Sequence, residues 1–167
     1  MTASQENTPI AQPLELMTDV VRSEWIDYNN HLNDGFYVVA LGYVTDAFMI
    51  HIGIDEPYRT STQCTAYTAE LHINYIQELP VHAPIRYTTQ LLGYDTKKFH
   101  IFHHMYHATE GYLAATNEIM LLHVDQSIGR VVPMPATMVD TLAEIYETHA
   151  TLPIPAQVGS QIRMKRR

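Results

Sequence analysis

One polar segment stands directly before the most apolar part of the chain: Trp25-Ile26-Asp27-Tyr28-Asn29-Asn30-His31-Leu32-Asn33-Asp34-Gly35-Phe36-Tyr37. From Phe36 to Ile54 the residues are apolar on nearly every side, and a helix with this pattern is buried on every side. Asp34 is the predicted N-cap, because its carboxylate can accept hydrogen bonds from the free amides of the first turn. The pattern predicts a long central helix that ends near Gly53 and is enclosed by the rest of the fold.

The start of this helix carries chemistry as well as structure. Free N–H groups at a helix N-terminus stabilise negative charge as it develops. Asp27 lies a few residues earlier and can act as a base or a nucleophile, so the two features together suffice for attack on an activated carbonyl. Asp and Asn are also common turn formers, and local chemistry alone leaves that second interpretation open.

Composition limits the class of protein. With 167 residues and 46% hydrophobic content, the chain is predicted to form one domain with a substantial core. Cys64 is the only cysteine, which excludes an intrachain disulfide and a cysteine-based metal site and favours the cytoplasm. The net charge of −8 argues against a nucleic-acid partner, and the basic end at residues 163–167 is interpreted as a solvated tail.

Membrane and export signals are not predicted. The first 13 residues lack a basic segment followed by an apolar one, so no secretory signal is expected. The apolar helix is too short and too interrupted for a membrane span, which needs about 20 largely apolar residues. We therefore expect no membrane partner.

Downstream of the helix the period of the pattern changes from helical to two. A first strand is predicted at residues 14–25 and a short helical turn at residues 55–61. Longer strands are predicted at residues 65–76, 85–94, 99–108 and 112–124. Tight turns between the later strands indicate an antiparallel meander. A final helix at residues 138–148, capped by Thr137, precedes a tail that is expected to lie along the surface.

These elements predict an α+β fold in which a curved antiparallel sheet wraps a long central helix, with an added C-terminal helix. The predicted division is a flexible N-terminal arm at residues 1–13, a domain at residues 14–132, and the C-terminal helix and tail at residues 133–167. A single sheet encloses a helix only by curling around it while a partner covers the remainder. An open sheet edge also needs cover, so we predict a homodimer or homotetramer.

The polar segment resembles the hotdog-fold acyl-CoA thioesterases, in the branch similar to 4-hydroxybenzoyl-CoA thioesterase. In that family an Asp precedes a Gly-His-(Val/Met)-Asn run at the start of the central helix, and here the run is Asp27-Tyr28-Asn29-Asn30-His31-Leu32-Asn33. Residues 70–75 resemble the family's second strand and residues 114–118 its last. Asn30 replaces the family Gly, and Asn tolerates a left-handed backbone better than other non-glycine residues.

The resemblance implies both an activity and roles for residues. It covers roughly residues 15–126 and is closer still to the betainyl-CoA thioesterases of carnitine degradation. Asp27 would attack the thioester carbonyl or activate water, the Asp34 N–H would stabilise the oxyanion, and His31 and Asn33 would position the loop or the thioester. The implied substrate is a small acyl-CoA, betainyl-CoA first and another short or aromatic acyl-CoA second, with no cofactor. A non-catalytic acyl-CoA-binding module is the alternative from another class.

Aromatic residues crowd the polar segment and suggest how the acyl group is bound. Trp25, Tyr28, Tyr37 and Tyr43 are candidates for a box around a quaternary ammonium, since aromatic faces attract cations. A benzoyl group or ordinary core packing would explain the same residues. An acidic residue nearby, such as Asp34 or Glu70, would favour the cation.

Coenzyme A also carries phosphates, for which basic side chains are needed. Arg86 and the hairpin pair Lys97 and Lys98 are the candidates for binding them, although exposed lysines on turns are commonly only solubilising.

Four histidines in one segment raise the possibility of a metal site: His100, His103, His104 and His107. On a helix they would share one face, and imidazoles bind zinc well. The segment lies between two turns and is rich in Phe, Ile and Tyr, so we interpret it as a strand. A strand divides the four between two faces, and no functional metal is predicted.

Overall fold

The computed structural model describes residues 12–164. Most of the predicted N-terminal arm and the last three residues of the basic end therefore lie outside the described residues. In chain order the elements are β1 (Thr18–Val20), a 3₁₀ helix (Ser23–Trp25), α1 (Asp34–His51), α2 (Glu56–Thr62), β2 (Cys64–Tyr75), β3 (Pro84–Tyr94), β4 (Lys98–His107), β5 (Leu113–Asp125), β6 (Arg130–Val131) and α3 (Ala136–His149).

The strands form one antiparallel sheet in the order β1-β3-β4-β5-β2, with the short β6 paired to the end of β5. The predicted meander of β3, β4 and β5 is confirmed, and each long strand starts and ends within one residue of its predicted limits. The first strand was predicted too long. It covers only Thr18–Val20, because the chain then turns into the 3₁₀ helix and buries Trp25 in the core.

Helix α1 lies across the concave face of the sheet, and its two sides differ. One side is buried against the sheet by Tyr37, Ala40, Leu41, Val44 and Phe48. The other side exposes Val38, Val39, Tyr43 and Ile50, each between 38% and 55%. The prediction of a helix buried on every side is therefore wrong for a single chain, because one sheet of this length covers only one side of a helix.

The ends of the helices follow ordinary capping rules. Helix α1 ends at His51, and Gly53 follows with a φ of +98°, a conformation that glycine adopts without strain. Helix α3 begins at Ala136 after Pro135, so the predicted cap at Thr137 is wrong. Proline has a φ fixed near the helical value, so Pro135 can precede the first helical residue although it offers no side-chain cap.

The C-terminal part of the chain packs on both the core and the sheet. Met138 and Leu142 of α3 are buried in the core around Phe48. The segment after α3 crosses the outer face of the sheet, where the Gly159 N–H donates to a carboxylate oxygen of Glu118 at 2.7 Å. The predicted surface position of the tail is confirmed for the described residues, while the division of the chain at residue 132 stays a prediction.

Within residues 12–164, no single helix is long and apolar enough to cross a bilayer. Helices α1 and α2 reach that length and composition only as a pair, which is bent by 73°.

Candidate active site

The loop before α1 is a tight turn closed at Asp27. The Asn30 N–H donates to the Asp27 carbonyl at 3.1 Å, and the Asp27 N–H donates to the His31 carbonyl at 3.0 Å. Asn30 has a φ of +62°, so it adopts the left-handed conformation that was expected where the family has glycine. The turn leads the chain back beside Leu79, whose carbonyl accepts from the Leu32 N–H at 2.9 Å.

The Asp27 carboxylate is held by a single neighbour. One oxygen accepts from the Asn29 N–H at 2.8 Å, and the other faces the Asn29 side-chain amide at 3.3 Å. Because both bonds come from the same residue of the turn, they fix the direction of the carboxylate without neutralising its charge. The carboxylate is half-buried and remains accessible from the adjoining cavity.

Helix α1 is capped by Asn33, one residue earlier than predicted. The Asn33 side-chain oxygen accepts from the Gly35 N–H at 3.0 Å, so Asp34 becomes the first helical residue. The N–H of a first helical residue has no acceptor within the helix and is available to a ligand. The Asp34 carboxylate, in the first turn, interacts favourably with the helix dipole.

A cavity of about 340 Å³ opens at this point, and we name it the helix-start cavity. It is lined by Asp27, Asn29, His31, Leu32, Asp34, Tyr37, Tyr75, Ile76, Gln77 and Glu78. Four residues predicted from the sequence meet here, since Asp27, His31, Asp34 and Tyr37 share its wall. Asn33 acts beside it as the helix cap.

Four lining residues come from the end of β2 and the loop after it, and sequence reasoning missed them as site residues: Tyr75, Ile76, Gln77 and Glu78. The Tyr75 hydroxyl donates to the Asp34 carbonyl at 3.2 Å, and its ring meets the Tyr37 ring at 5.3 Å in an edge-to-face arrangement. Burial raises the pKa of Tyr37 to about 12, so this phenol stays neutral at physiological pH. The alternation of β2 was visible in the sequence, but the point at which it meets the helix was not.

The predicted aromatic box does not assemble in this chain. Trp25 is buried and stacks on Phe36, with the Arg22 guanidinium 4.5 Å from its ring centre. Tyr28 stands at the tip of the turn and is 94% exposed. Of the four candidates only Tyr37 lines the cavity. The 3₁₀ helix turns Trp25 inward, the tight turn directs Tyr28 outward, and Tyr43 lies further along α1 against the Trp25 ring.

Glu70 lies on the other face of the sheet, away from Asp27. A bulge in β2 occurs between Thr68 and Glu70, and Glu70 lines a second cavity of about 300 Å³. We name it the outer-sheet cavity; its lining is Glu70, His72, His100, Glu118, Ile119, Met120, Gly159, Ser160 and Gln161. Glu70 therefore does not reach an acyl group held beside Asp27.

The three basic candidates also lie apart from the helix-start cavity. Arg86 forms an ion pair with Glu15 at 2.6 Å. Lys97 and Lys98 are at the β3–β4 turn, where Lys98 pairs with Leu122 of β5. The cavity end of β5 pairs its Ala115 with Tyr75, so the two ends are about 23 Å apart at the usual rise per residue. Binding of CoA by these three residues stays a prediction.

The four histidines lie on a strand, as predicted, and divide between its faces. His103 points inward and is fully buried between Thr45 and Thr89, while His100 points outward to Glu118 at 2.9 Å. Burial, with a smaller effect of His104, lowers the pKa of His103 to about 3 and keeps it neutral. Within residues 12–164, no three His, Cys, Asp or Glu side chains are arranged to hold a metal ion.

Comparison with known proteins identifies the family. The sequence model of the Thioesterase-like superfamily matches residues 21–142. This chain belongs to the thioesterase-like superfamily. The predicted hotdog fold and the predicted enzyme class, a thioester hydrolase, are thereby confirmed.

Individual relatives of this thioesterase-like protein agree. A betainyl-CoA thioesterase of Pseudomonas aeruginosa is 38% identical over 92% of this chain and 96% of its own length. An L-carnitine dehydrogenase/betainyl-CoA thioesterase of Agrobacterium fabrum is 40% identical over 92% of this chain and 31% of its own length. A hypothetical protein of Staphylococcus aureus, solved in complex with CoA, is 30% identical with a TM-score of 0.88 over 95% of this chain and 99% of that one.

Proposed function

We propose that this chain hydrolyses betainyl-CoA to betaine and CoA, with Asp27 as the reacting carboxylate. The observation that carries the assignment is the Asp27 carboxylate, which is fixed by Asn29 on the wall of the helix-start cavity beside the first turn of α1. The relative from Pseudomonas aeruginosa, which matches along nearly its whole length, supports betainyl as the acyl group.

Two routes are chemically consistent with this site. In the first, an Asp27 oxygen attacks the thioester carbon, the carbon–sulfur bond breaks, CoA leaves as a thiolate, and water then hydrolyses the mixed anhydride. In the second, Asp27 takes a proton from a water molecule that attacks the same carbon directly, the carbon–sulfur bond breaks, and CoA leaves as the thiol when it takes up that proton. In both routes negative charge develops on the carbonyl oxygen, and the free Asp34 N–H at the start of α1 is the proposed donor to it.

The first test is release of free thiol from a panel of acyl-CoA thioesters that includes betainyl-CoA. We expect Asp27→Asn to lower kcat by about 100-fold or more, because loss of a positioned acid–base group costs 10²- to 10⁴-fold. Asp125→Asn is the matched control. The Asp125 carboxylate also closes a local turn, by accepting from the Ser127 N–H. It lies at the end of β5 that is far from the helix-start cavity.

The panel also separates the alternatives. Faster hydrolysis of a benzoyl or short neutral thioester than of betainyl-CoA would replace the proposed substrate, since the tyrosine rings of the cavity also suit an aromatic acyl group. Binding of acyl-CoA without thiol release, or an Asp27→Asn variant as fast as the parent, would make the chain a binding module. During turnover, an acylated Asp27 peptide detected by mass spectrometry would favour the nucleophilic route.

We also propose that two copies of the chain associate through the exposed side of α1 and the edge strand β2. Apolar residues continue from Val38, Val39 and Tyr43 of α1 to Tyr67 and Leu71 of β2, all more than a third exposed. Within residues 12–164 the outer edge of β2 is unpaired over its 12 residues, and a second copy can pair with it antiparallel across a two-fold axis.

Light scattering of the purified protein tests this assembly. We expect the mass of a dimer or of a tetramer built from such dimers, and a shift to monomer in Leu71→Lys. A monomeric parent would contradict the proposal. The single cysteine and the CoA substrate also support a cytoplasmic location, which remains part of the same proposal.

A further inference from the structure

The helix-start cavity combines aromatic walls with negative charge. The Tyr37 and Tyr75 rings meet at 83°, so they form two walls of a corner. Three carboxylates line the same cavity, those of Asp27, Asp34 and Glu78, and no Lys or Arg is among its described lining residues. A corner of this composition attracts a cation and repels an anionic acyl group.

The charges and the rings act on one another at this corner. Burial is the largest of the effects that raise the pKa of Tyr37, and the Glu78 charge adds a smaller one in the same direction. Burial and then the Asp34 charge raise the pKa of Tyr75. Both phenols therefore stay neutral at physiological pH, while the negative charge resides on the carboxylates beside them.

The two tyrosine rings also lie close to the residue proposed to bind the thioester oxygen. Tyr37 is one helical turn after Asp34, and the Tyr75 hydroxyl bonds to the Asp34 carbonyl, so both rings stand beside the proposed oxyanion donor. In a betainyl thioester only one methylene separates the quaternary nitrogen from the carbonyl carbon. An acyl carbonyl at Asp27 and Asp34 would therefore bring the trimethylammonium group to these rings.

We propose that Tyr37, Tyr75 and Glu78 form the receptor that selects acyl groups carrying a quaternary ammonium. This inference rests on the proposed thioesterase function and adds the residues that determine its specificity. The rings contact the methyl groups, whose partial positive charge is spread over their surface, and Glu78 supplies the long-range attraction. A neutral acyl group of the same shape fills the corner without the electrostatic gain.

The matched probe is 3,3-dimethylbutanoyl-CoA, in which a quaternary carbon replaces the quaternary nitrogen of betainyl-CoA. The quantity to measure is the change, between parent and variant, in the ratio of kcat/KM for the two substrates. Their shapes are nearly equal, and the greater intrinsic reactivity of the betainyl thioester cancels in that comparison. We expect the parent to favour betainyl-CoA by about tenfold or more, and Glu78→Gln and Tyr75→Leu each to lower that ratio several-fold, roughly by a factor of five. Tyr75→Phe keeps the ring and should keep the ratio.

Glu56→Gln, at the start of α2, is the charge-matched control and should leave kcat/KM unchanged for both substrates. A parent that hydrolyses both substrates with a ratio near one, or variants that keep the parent's ratio, would overturn the receptor while leaving the thioesterase function intact. A parent that hydrolyses neither would overturn the proposed function itself. Circular dichroism of each variant distinguishes loss of the fold from loss of selectivity, and Glu78→Gln, which keeps the size of the side chain, tests the receptor even if the leucine variant unfolds.

Discussion

Two cavities of similar volume lie at different places on this chain, and they contain similar kinds of side chain. The helix-start cavity of about 340 Å³ holds carboxylates, a histidine and two tyrosines beside the first turn of α1. The outer-sheet cavity of about 300 Å³ holds carboxylates and two histidines under the C-terminal segment. Composition alone would make either one a candidate site.

Hydrogen bonding separates the two. In the outer-sheet cavity both histidines and Glu118 already have partners within the protein, with His100 on Glu118 at 2.9 Å and His72 on the Ser160 hydroxyl at 3.2 Å. Glu118 also accepts from the Gly159 N–H, which attaches the C-terminal segment to the sheet. In the helix-start cavity, Asp27 is held only from within its own turn. Partnered groups stabilise the fold, whereas a carboxylate that is oriented but not neutralised is available for chemistry.

Among changes that keep Asp27 itself, the largest effect is expected from removing its orientation. Asn29→Ala deletes one of the two hydrogen bonds on the carboxylate, and a misplaced reacting group costs up to about 100-fold in rate. We expect kcat to fall by about 10- to 100-fold with KM changed by less than about twofold, because the cavity walls remain. Steady-state thiol release measures both values.

Ser127→Ala is the matched control, since Ser127 holds Asp125 in a similar local turn far from the cavity. It should leave kcat unchanged. If Asn29→Ala keeps the parent's kcat, or changes only KM, then the turn does not orient the catalytic carboxylate.

The next effect concerns stability. Glu118→Gln removes the charge from the contacts with His100 and Gly159, and charge-assisted hydrogen bonds contribute about 1.5–3 kcal/mol each when lost outright. Because the amide can retain part of both contacts, we expect the free energy of unfolding in urea to fall by about 1–2 kcal/mol and proteolysis of the C-terminal segment to accelerate.

Thiol release by Glu118→Gln should stay within about twofold of the parent's rate, and Glu147→Gln, on the exposed side of α3, should change neither quantity. A large loss of activity at unchanged stability would mean that the outer-sheet cavity takes part in the reaction.

Sequence patterns correctly predicted the parts of the structure that depend on residues close together in the chain. Alternation and turns gave β2 as residues 65–76 against the observed Cys64–Tyr75, and Asp27, His31 and Asp34 were found together because one short loop holds them. Tyr75 and Glu78 were missed because they reach the cavity through pairing of the loop with a segment some 45 residues later, as in the Leu32 N–H bond to Leu79. A local hydrophobic pattern does not show which distant segment a loop pairs with.

The helix α1 shows a second limit. Its all-round apolarity predicts burial on every side, whereas Val39 and Tyr43 are exposed in the single chain. A sequence pattern does not state whether its own chain or another copy would cover such residues. The N-cap was displaced by one residue, from Asp34 to Asn33, because Asp and Asn are nearly equal as caps and the turn geometry decides between them.

The smallest effect comes from His103, a polar group whose partners are complete. The Thr45 hydroxyl donates to the Leu41 carbonyl at 3.0 Å, so it accepts from the Nε2–H of His103 at 3.1 Å. The Nδ1 atom then accepts from the Thr89 hydroxyl at 2.8 Å. The neutral ring satisfies both hydroxyls, and a second proton would have no acceptor without rearrangement.

Folded His103, with its pKa lowered to about 3, binds fewer protons than the unfolded chain, in which an ordinary histidine titrates near 6.5. Its contribution to stability is therefore full above pH 6.5 and is lost as the pH falls from there towards 3. Between pH 7 and pH 6 this histidine alone should lower the free energy of unfolding by about 0.7 kcal/mol. His103→Gln should reduce the change over that interval by the same amount, as measured by urea unfolding at the two pH values, even if the variant is less stable throughout. An equal change in parent and variant would mean that His103 gains a proton in the folded protein. A complete set of hydrogen-bond partners would then not be enough to keep a buried histidine neutral.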